Sequence, residues 1–290
     1  MINKPVCSST SEEEFHLFRD YIKNSCGICI PPEKAYLIET RLSKLMIDAG
    51  AESFSEFFNI ITSKINFPMH QKIINAITTN ETLWFRDATL WRYIEEIALP
   101  KLIEELSSGK KKRIRIWSAA SSTGKEIYST VMCIDDYLQK HKPEGVSLCD
   151  FEFFATDISV RVLDIAKKGR YDNISINRGL NDYYKSKYFT QNASAWDIDP
   201  KIMAAVNFAH FNLQNSYQRF GLFDMILCRY VLIYFSDELK RDIIRKMHGA
   251  LTDGGILFTG NYALYDMFED YFEINHYDNI TYYVKKAVKE

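Results

Sequence analysis

The chain has 290 residues, of which 47% are hydrophobic and 26% are charged, a composition typical of one large or two modest globular domains. Its formal net charge of −2 excludes a general basic surface for nucleic acid, and no apolar run approaches the roughly 20 residues that span a membrane. The first residues lack the apolar core of a signal peptide. The six scattered cysteines therefore predict reduced thiols and a cytoplasmic location.

Residues 1–77 are predicted to form a helical domain, with disorder over residues 1–10. Ser11 and Glu14 have the spacing of a capping box, and apolar residues then recur at helical intervals through four segments without a strand signal. Cys26 and Cys29 form a CxxC pair between the first two helices. A redox or metal role would need a preceding strand or a second ligand pair, and neither is evident. A glycine turn with a half-buried thiol is the preferred interpretation.

Residues 78–90 are predicted to be a linker that contributes to a functional site. The segment is polar at first, then aromatic at Trp84 and Phe85, then basic at Arg86. A plain linker is the simplest alternative, but a solvated linker has little use for two large aromatic side chains. Loops held by rigid elements often carry function. A helix is predicted over 90–106, with a kink at Pro100.

Residues 114–126 predict a strand, a turn of small residues and a helix. Bulky apolar residues alternate over 114–117, small residues lead to Gly124, and a helical pattern begins at Glu126. This geometry turns backbone N–H groups and a helix N-terminus toward a ligand, and small side chains let the ligand approach closely. The turn lacks the spaced glycines of a dinucleotide site and the Gly-Lys-Ser/Thr of a P-loop. An ordinary strand-to-helix turn is an equal alternative at this point.

The second strand, predicted over 151–157, ends in Asp157. A carboxylate at such a strand end can accept hydrogen bonds from both hydroxyls of a ribose. Capping of the next helix by Asp157 or Ser159 is an alternative, and the two roles are compatible. Further strands are predicted over 206–213, 223–228 and 256–259, the last after a turn at the Asp-Gly-Gly sequence of 253–255, and 272–284 predicts a closing hairpin.

The alternation of strands and helices predicts an α/β fold with a doubly wound, mostly parallel sheet. Residues 171–207 do not fit the alternation and are interpreted as an insertion with a short helix and a small antiparallel sheet. Ligands of doubly wound sheets bind at the carboxyl ends of the strands. The segments 118–126, 212–213 and 229–234 and the acid at 157 all fall there, so they predict one ligand site.

Seven short sequences resemble, in the same order, those of the CheR family. This family comprises S-adenosylmethionine-dependent methyltransferases that esterify glutamate side chains of bacterial chemoreceptors. The sequences are TNETLWFR at 79–86, WSAASSTGKE at 117–126, ATD at 155–157, FNL at 211–213, FDMILCR at 223–229, IYF at 233–235 and DGG at 253–255. Each is weak alone, but jointly they are specific, and the helical domain matches the family in position and size.

The resemblance implies a class I methyltransferase-like domain over 91–290, behind the N-terminal all-α domain. Its cofactor would be S-adenosylmethionine, with S-adenosylhomocysteine as the product and no metal. Its partners would be the cytoplasmic domains of chemoreceptors, methylated by a monomer that neither binds nucleic acid nor inserts into a membrane.

The resemblance also implies the site residues. Cofactor binding is expected from Asn80, Thr82, Arg86, Gly124, Glu126, Asp157, Asn212, Leu213, Arg229 and Tyr230. Asp157 should hold the ribose, Asn212 and Leu213 should meet the adenine, and Arg229 should meet the methionine carboxylate. Arg86 and Tyr234 should flank the methyl group as catalytic residues.

The chemistry of this reaction suits these residue types. A glutamate with a solution pKa of ~4.3 is already ionised at neutral pH, so neither a general base nor a metal is needed. The enzyme must instead hold the carboxylate in line with a sulfonium methyl group and exclude water. Arg86 can orient the carboxylate by charge-assisted hydrogen bonds, and Tyr234 can add a donor. We therefore expect Arg86 to position the nucleophile and not to activate it.

The sequence departs from the family pattern around the site. Lys125 stands where the family usually has an acid, Ile127 where it has proline, and Tyr230 where it has asparagine. Residues 261–262 also differ from the usual His-Ser-Glu. Some members dock on a tethering peptide of the receptor through a glycine-bearing loop in the small β-subdomain. The corresponding loop here, 190–196, has no glycine, so we expect an enzyme that does not depend on the tether.

Three other functions are compatible with parts of the sequence. An NAD-dependent oxidoreductase on a similar sheet would need a glycine-rich fingerprint and a proton-relay residue, and neither is visible. A non-catalytic homologue that binds the cofactor or a receptor is a second alternative, because Lys125 and Tyr230 alter the surroundings of the site. A methyltransferase with a different protein target is the third.

Overall fold

A computed structural model describes residues 10–63, 67–260 and 265–286 of the chain. The disorder predicted for residues 1–10 therefore falls, except for Thr10, outside the described residues. Asn261 and Tyr262, which differ from the family pattern, also lie outside them. Within the described ranges no helix is both long enough and apolar enough to cross a membrane.

Among the described residues, four helices form the N-terminal domain, as the apolar periodicity predicts. They are α1 (Glu12–Cys26), α2 (Tyr36–Asp48), α3 (Phe54–Ser63) and α4 (Phe67–Ile77), with a 3₁₀ turn at Pro32–Lys34. The predicted capping box is present, because the Ser11 hydroxyl accepts from the Glu14 N–H and the Glu14 carboxylate accepts from the Ser11 N–H. The buried ring of Phe18 packs edge-on against Phe54 in the core of this domain.

The helix predicted after the linker is divided in two. α5 (Ala88–Tyr93) and α6 (Leu99–Ser107) are separated by a π-helical turn at Ile94–Ala98, and Pro100 lies in the first turn of α6. Proline cannot donate to the carbonyl four residues before it, and its ring crowds that carbonyl. A locally widened turn just before Pro100 accommodates both effects, so the irregularity is a π-turn that precedes the proline.

The described residues of the C-terminal domain hold ten strands. In chain order they are β1 (Ile114–Ala119), β2 (Phe151–Asp157), β3 (Arg170–Asp172), β4 (Phe189–Asn192), β5 (Ala195–Ile198), β6 (Val206–His210), β7 (Phe223–Leu227), β8 (Leu251–Phe258), β9 (Phe272–Tyr277) and β10 (Ile280–Lys285). Seven form one sheet in the order β6-β2-β1-β7-β8-β10-β9. The first five strands of this order pair in parallel, and β10 pairs antiparallel with β8 and β9. The predicted mostly parallel sheet is confirmed.

Helices cover both faces of this sheet. The helices of the C-terminal domain that follow α6 are α7 (Lys125–His141), α8 (Val160–Lys168), α9 (Asn173–Ile176), α10 (Asp182–Tyr188), α11 (Pro200–Ala204), α12 (Asp237–Gly249) and α13 (Tyr265–Phe268). Side chains of β1 alternate between two cores. Ile116 shares one core with Ile127 of α7, and Trp117 shares the other with Ile243 of α12. The α/β fold is therefore doubly wound, as predicted.

Two predicted strand boundaries are wrong. β6 ends at His210, and 211–213 continue beyond the sheet as a loop. β8 begins at Leu251, so the Asp-Gly-Gly sequence lies inside the strand and does not precede it. The β7–β8 register shifts between Phe223 and Met225, and Gly254 has a φ of 71°. A glycine with positive φ is typical of a bulge, which sequence cannot readily distinguish from a turn.

The insertion contains the predicted antiparallel sheet, together with three short helices, α9, α10 and α11, where one was predicted. Its strands lie in the order β3-β5-β4, and α9 and α10 connect β3 to β4. Two nearly buried aspartates of α7 hold this insertion. The Lys187 ammonium is 2.6 Å from the Asp136 carboxylate, and the Tyr188 hydroxyl donates to Asp135 at 2.9 Å. Buried carboxylates with these partners fix the insertion against the main sheet.

Lys125, in the first turn of α7, is 2% exposed, and its ammonium donates to the Ser175 carbonyl of the insertion at 2.9 Å. Burial lowers the pKa of Lys125 from 10.5 to about 8; nearby Arg178 lowers it further and Asp172 opposes the shift. In the unfolded chain the lysine keeps its usual pKa. Below about pH 8 the folded protein therefore carries the full penalty of a buried ammonium, and this penalty disappears as the pH rises toward 10.5.

Replacing Lys125 with methionine is expected to increase the free energy of unfolding at pH 7. The Ser175 carbonyl keeps a second donor, the Trp84 indole, so the substitution leaves no acceptor unpaired. Urea unfolding of both proteins at pH 7, 9 and 10 measures the gain, which should shrink steadily above about pH 8. The exposed Lys167 of α8, replaced in the same way, is the control. A gain that is constant with pH would show that the ammonium does not lose its proton in the folded state.

Candidate cofactor and substrate site

A cavity of about 420 Å³ lies where the carboxyl ends of β1, β2 and β7 meet the linker and the helical domain. Parallel strands end at the same edge of the sheet, so segments far apart in sequence converge there. Of the residues that the family resemblance implies, those that line the cavity are Asn80, Thr82, Arg86, Glu126, Asp157, Asn212, Leu213, Arg229, Tyr230 and Tyr234. Gly124 is not among the lining residues.

The turn after β1 brings backbone to the cavity through residues other than Gly124. Ala120 and Ser122 have positive φ values of 64° and 52°, and both line the cavity. Gly124 begins α7 with a φ of 82°, and a Cβ there would lie 2.9 Å from the Cβ of Ala166. Glycine at this position is therefore required by the close packing of α7 on α8. The small residues predicted a turn that a ligand can approach closely, and in the structure Ala120 and Ser122 line the cavity whereas Gly124 does not.

The aromatic residues of the linker anchor it to the rest of the C-terminal domain. Trp84 is 1% exposed; its N–H donates to the Arg178 carbonyl at 3.0 Å and its indole donates to the Ser175 carbonyl at 3.1 Å. The Phe85 N–H donates to the Ser129 hydroxyl of α7. These contacts fix the backbone directly before Arg86. The two aromatics therefore give the linker a defined conformation, which a solvated linker would lack.

Arg86 and Tyr230 form a stacked pair at the cavity wall. The guanidinium carbon of Arg86 lies 3.4 Å from the centre of the Tyr230 ring. Within 10–63, 67–260 and 265–286, the structure gives the Arg86 guanidinium no hydrogen bond and no ion pair. Its N–H donors are therefore available to an anionic ligand. The hydroxyl of Tyr234, which also lines the cavity, likewise makes no hydrogen bond to another described residue.

Arg229 is buried and joins three segments. Its guanidinium donates to the Glu126 carboxylate at 2.8 Å, to the Asp87 carboxylate at 2.6 Å and to the Arg86 carbonyl at 2.8 Å. Burial alone would lower the pKa of Arg229, but the carboxylates of Glu126 and Asp87 raise it overall, so the group stays charged. Sequence analysis missed Asp87 altogether. The only signal was its place directly after Arg86, since its partners lie more than 140 positions away.

Asp157 ends β2 with its carboxylate held by two backbone donors. The Ser122 N–H donates to one oxygen at 2.8 Å and the Ser159 N–H donates to the other at 2.9 Å. Burial raises the pKa of this carboxyl group, and the backbone N–H bonds oppose the rise. Ser159 caps α8 by accepting from the Val162 N–H, so the capping role belongs to Ser159. Each Asp157 oxygen retains further acceptor capacity toward the cavity.

The helical domain closes one side of the cavity, which the sequence did not predict. Cys26, the last residue of α1, and Ile28, in the turn that follows, line it beside Leu213. The Asn212 amide donates to the Ser25 carbonyl at 2.9 Å, and the Cys29 N–H donates to the Tyr234 carbonyl at 2.8 Å. The Asn212 side chain thus joins the two domains.

The CxxC pair has the geometry of a structural turn. Gly27 stands between α1 and Ile28 with a φ of 79°, and Cys26 and Cys29 are both free thiols. Burial raises the pKa of Cys26 to about 11, so this thiol is protonated at neutral pH and is a poor nucleophile. The described residues hold no group of three or more His, Cys, Asp or Glu side chains that could bind a metal ion.

Comparison with known proteins identifies the class of this site. Residues 80–280 match the family model of the CheR methyltransferase SAM-binding domain, and residues 13–78 match that of the CheR methyltransferase all-alpha domain. The fold and its cavity are therefore those of an S-adenosylmethionine-dependent methyltransferase with an N-terminal helical domain.

Relatives extend over nearly the whole chain. Chemotaxis protein methyltransferase 1 of Pseudomonas aeruginosa is 38% identical over 267 residues, 92% of this chain and 95% of that protein. Chemotaxis protein methyltransferase Cher2 of Pseudomonas putida is 37% identical over 87% of this chain and 90% of its own. The chemotaxis protein methyltransferase of Vibrio anguillarum is 37% identical over 86% of this chain and 88% of that protein. The chain belongs to the CheR family.

Proposed function

We propose that this protein transfers a methyl group from S-adenosylmethionine to glutamate side chains in the cytoplasmic domains of chemoreceptors, giving glutamyl methyl esters. The observation that carries the proposal is the stacked Arg86 guanidinium, which reaches the cavity without a carboxylate partner among the described residues. An arginine fork is well suited to orient a carboxylate by two parallel hydrogen bonds. The names of the three relatives support a role in chemotaxis.

The volume, the charged residues and the polar groups of the cavity suit S-adenosylmethionine. The charged residues that line it are Glu81, Arg86, Glu126, Asp157 and Arg229, so three carboxylates face two guanidinium groups. Because Glu81 also pairs with Arg178 and Glu126 pairs with Arg229, the charges at the lining nearly balance, which suits a ligand that carries both signs of charge, as S-adenosylmethionine does. Asp157 can accept hydrogen bonds from ribose hydroxyls, and Leu213 and Ile28 offer apolar contact to an adenine.

The proposed reaction requires orientation of two charged partners and no proton transfer. S-adenosylmethionine supplies an electrophilic methyl group on its sulfonium. Arg86 holds the glutamate carboxylate through its free N–H donors, and the Tyr234 hydroxyl adds a donor beside it. Glu126 and Asp87 hold Arg229, which keeps the cofactor side of the cavity ordered. The glutamate is ionised at neutral pH, so the residues need only aim it and exclude water.

The proposal is tested with radiolabelled S-adenosylmethionine and purified receptor cytoplasmic fragments. We expect label on the fragments that is released as methanol by mild alkali, because carboxyl methyl esters hydrolyse readily and methylated amines do not. Glu→Ala substitutions at the labelled positions should remove the label, and Glu→Ala at unlabelled positions on the same helices is the matched control. Label that resists alkali would exclude glutamate esterification.

Calorimetry with S-adenosylhomocysteine separates the remaining alternatives. Binding without any label on receptor fragments would indicate a non-catalytic homologue. Alkali-labile label on other proteins of a receptor-free extract would indicate a different target. Binding of the free tethering peptide of the receptor at micromolar concentration would contradict the expected independence from a tether.

A further inference from the structure

Tyr230 occupies an unusual backbone position directly beneath Arg86. Its φ is 59°, a left-handed conformation that is rare for a bulky residue and marks a backbone held by its surroundings. Its N–H donates to the Thr259 carbonyl at 3.2 Å. On the other side of the ring, Gly260 has a φ of 83°, and a Cβ at Gly260 would lie 3.1 Å from the ring. A side chain at residue 260 would therefore crowd the ring and would also be strained by the positive φ.

The Tyr230 hydroxyl is fixed as well. It donates to the same Asp87 oxygen that accepts from Arg229. Burial and the hydrogen bond to the Asp87 carboxylate raise the pKa of Tyr230, so the phenol stays protonated at neutral pH and keeps this bond. Ring, hydroxyl and backbone are thus all restrained, and the ring offers a rigid flat face to the cavity.

Arg86 depends on that face. Its backbone carbonyl is held by the Trp91 indole at 3.0 Å and by Arg229 at 2.8 Å. The guanidinium itself has only the Tyr230 ring as a partner within the described ranges, at 3.4 Å from carbon to ring centre. A long, flexible side chain that must present a fork to a carboxylate loses orientation without such a surface. An aromatic face restrains the guanidinium plane but uses few of its N–H donors.

We propose that Tyr230 is a positioning residue for Arg86. The Tyr230 ring fixes the orientation of the guanidinium plane and its position in the cavity. The Asp87 carboxylate fixes the ring through its hydrogen bond to the Tyr230 hydroxyl. This assignment rests on the proposed function, and it gives a physical role to a departure from the family, in which asparagine usually stands at this position. An asparagine side chain is too short and has no aromatic face, so it cannot provide this stacking. That Tyr230 binds the cofactor stays a separate prediction; in the present proposal its ring acts on Arg86.

Three substitutions test the role kinetically. Tyr230→Leu should lower kcat/KM for receptor methylation about 10- to 100-fold, in line with an aromatic–cation contact. Tyr230→Phe keeps the ring and loses only the hydrogen bond to Asp87, so its kcat/KM should fall only about two- to fivefold. S-adenosylhomocysteine affinity should stay within about threefold in both. In a protein that already carries Arg86→Ala, Tyr230→Leu should not lower kcat/KM further, because the arginine that Tyr230 positions is absent.

A matched control is available in the insertion. Tyr183 also donates to a buried aspartate, Asp136, and packs against two lysines, Lys140 and Lys187, but it does not line the cavity. Tyr183→Leu removes the same kinds of contact and should leave methyl transfer unchanged. Equal losses in Tyr230→Leu and Tyr230→Phe, or a further loss from Tyr230→Leu without Arg86, would overturn the proposal.

A second measurement is independent of activity. The ring under Arg86 should shift the δ and ε protons of that arginine upfield in NMR spectra of the full chain, with Arg86→Lys used for assignment. Tyr230→Phe should keep this shift, and Tyr230→Leu should abolish it. If the wild-type protein fails to methylate receptors but shows the shift, the proposed function fails and the stacking stands. If receptors are methylated but no ring-current shift is seen, the positioning role fails alone.

Discussion

Replacing Arg86 with alanine is expected to reduce receptor methylation by about 10²- to 10³-fold, to near background, while cofactor affinity changes by less than about tenfold. The reduction is the size seen when one preorganised donor is removed from a reacting oxygen. The cofactor side of the cavity should survive, because Arg229 and Trp91 bind the backbone carbonyl of residue 86 and not its side chain. Single-turnover transfer from labelled S-adenosylmethionine and calorimetry with S-adenosylhomocysteine measure the two effects separately.

Arg92→Ala is the matched control for this prediction. Arg92 lies six residues after Arg86, in α5; it is half exposed, pairs with Asp278 at 3.0 Å and does not line the cavity. It should retain full transfer. Equal losses of transfer and cofactor affinity in Arg86→Ala would mean that Arg86 belongs to the cofactor site and does not orient the nucleophile.

Replacing Asp157 with asparagine is expected to weaken binding of S-adenosylhomocysteine about 10²-fold or more. Two charge-assisted bonds to ribose hydroxyls contribute about 1.5 kcal/mol or more each, and their loss corresponds to this factor. The amide brings a second defect, because Ser122 and Ser159 both donate to the present oxygens. One of these N–H groups would then face an NH₂ donor, so the thermal midpoint should fall as well.

The exposed Asp164 of α8 provides the control for this change. Asp164→Asn makes the same chemical substitution on a neighbouring helix and should alter neither binding nor the thermal midpoint. Calorimetry is done below the melting temperature of each variant, so that affinity is measured on folded protein. If Asp157→Asn binds S-adenosylhomocysteine as tightly as the wild-type protein, the ribose contact is not made by this side chain.

Local rules predicted the elements well where a single segment decides them. The capping box at Ser11 and Glu14 involves residues three apart, and it is present. The almost continuously apolar character of 223–228 predicted a buried central strand, and all five residues of β7 are buried. The closing hairpin also forms, with Asp278 at a φ of 48° in its two-residue turn. Each of these depends on periodicity or turn chemistry, which lie within one stretch of chain.

Long-range packing decided the features that sequence analysis missed or misplaced. The π-turn at Ile94–Ala98 and the bulge in β8 result from fitting one element against others. Gly124 packs against Ala166, more than forty positions away, and does not line the cavity. Asn212 turns its amide to Ser25 of the helical domain. The residue pattern of one segment does not indicate which residues of another segment it will contact.

The sequence by itself determined the doubly wound sheet, the segments at the carboxyl ends of its strands, and the family. Each of these follows from local periodicity or from short motifs. Only the tertiary structure decided how those segments meet. It placed Asp87 between Arg229 and Tyr230, closed the cavity with the turn after α1, and set the Arg86 guanidinium on an aromatic ring. These are contacts between side chains far apart in the chain, and their geometry follows from packing, which a linear pattern does not specify.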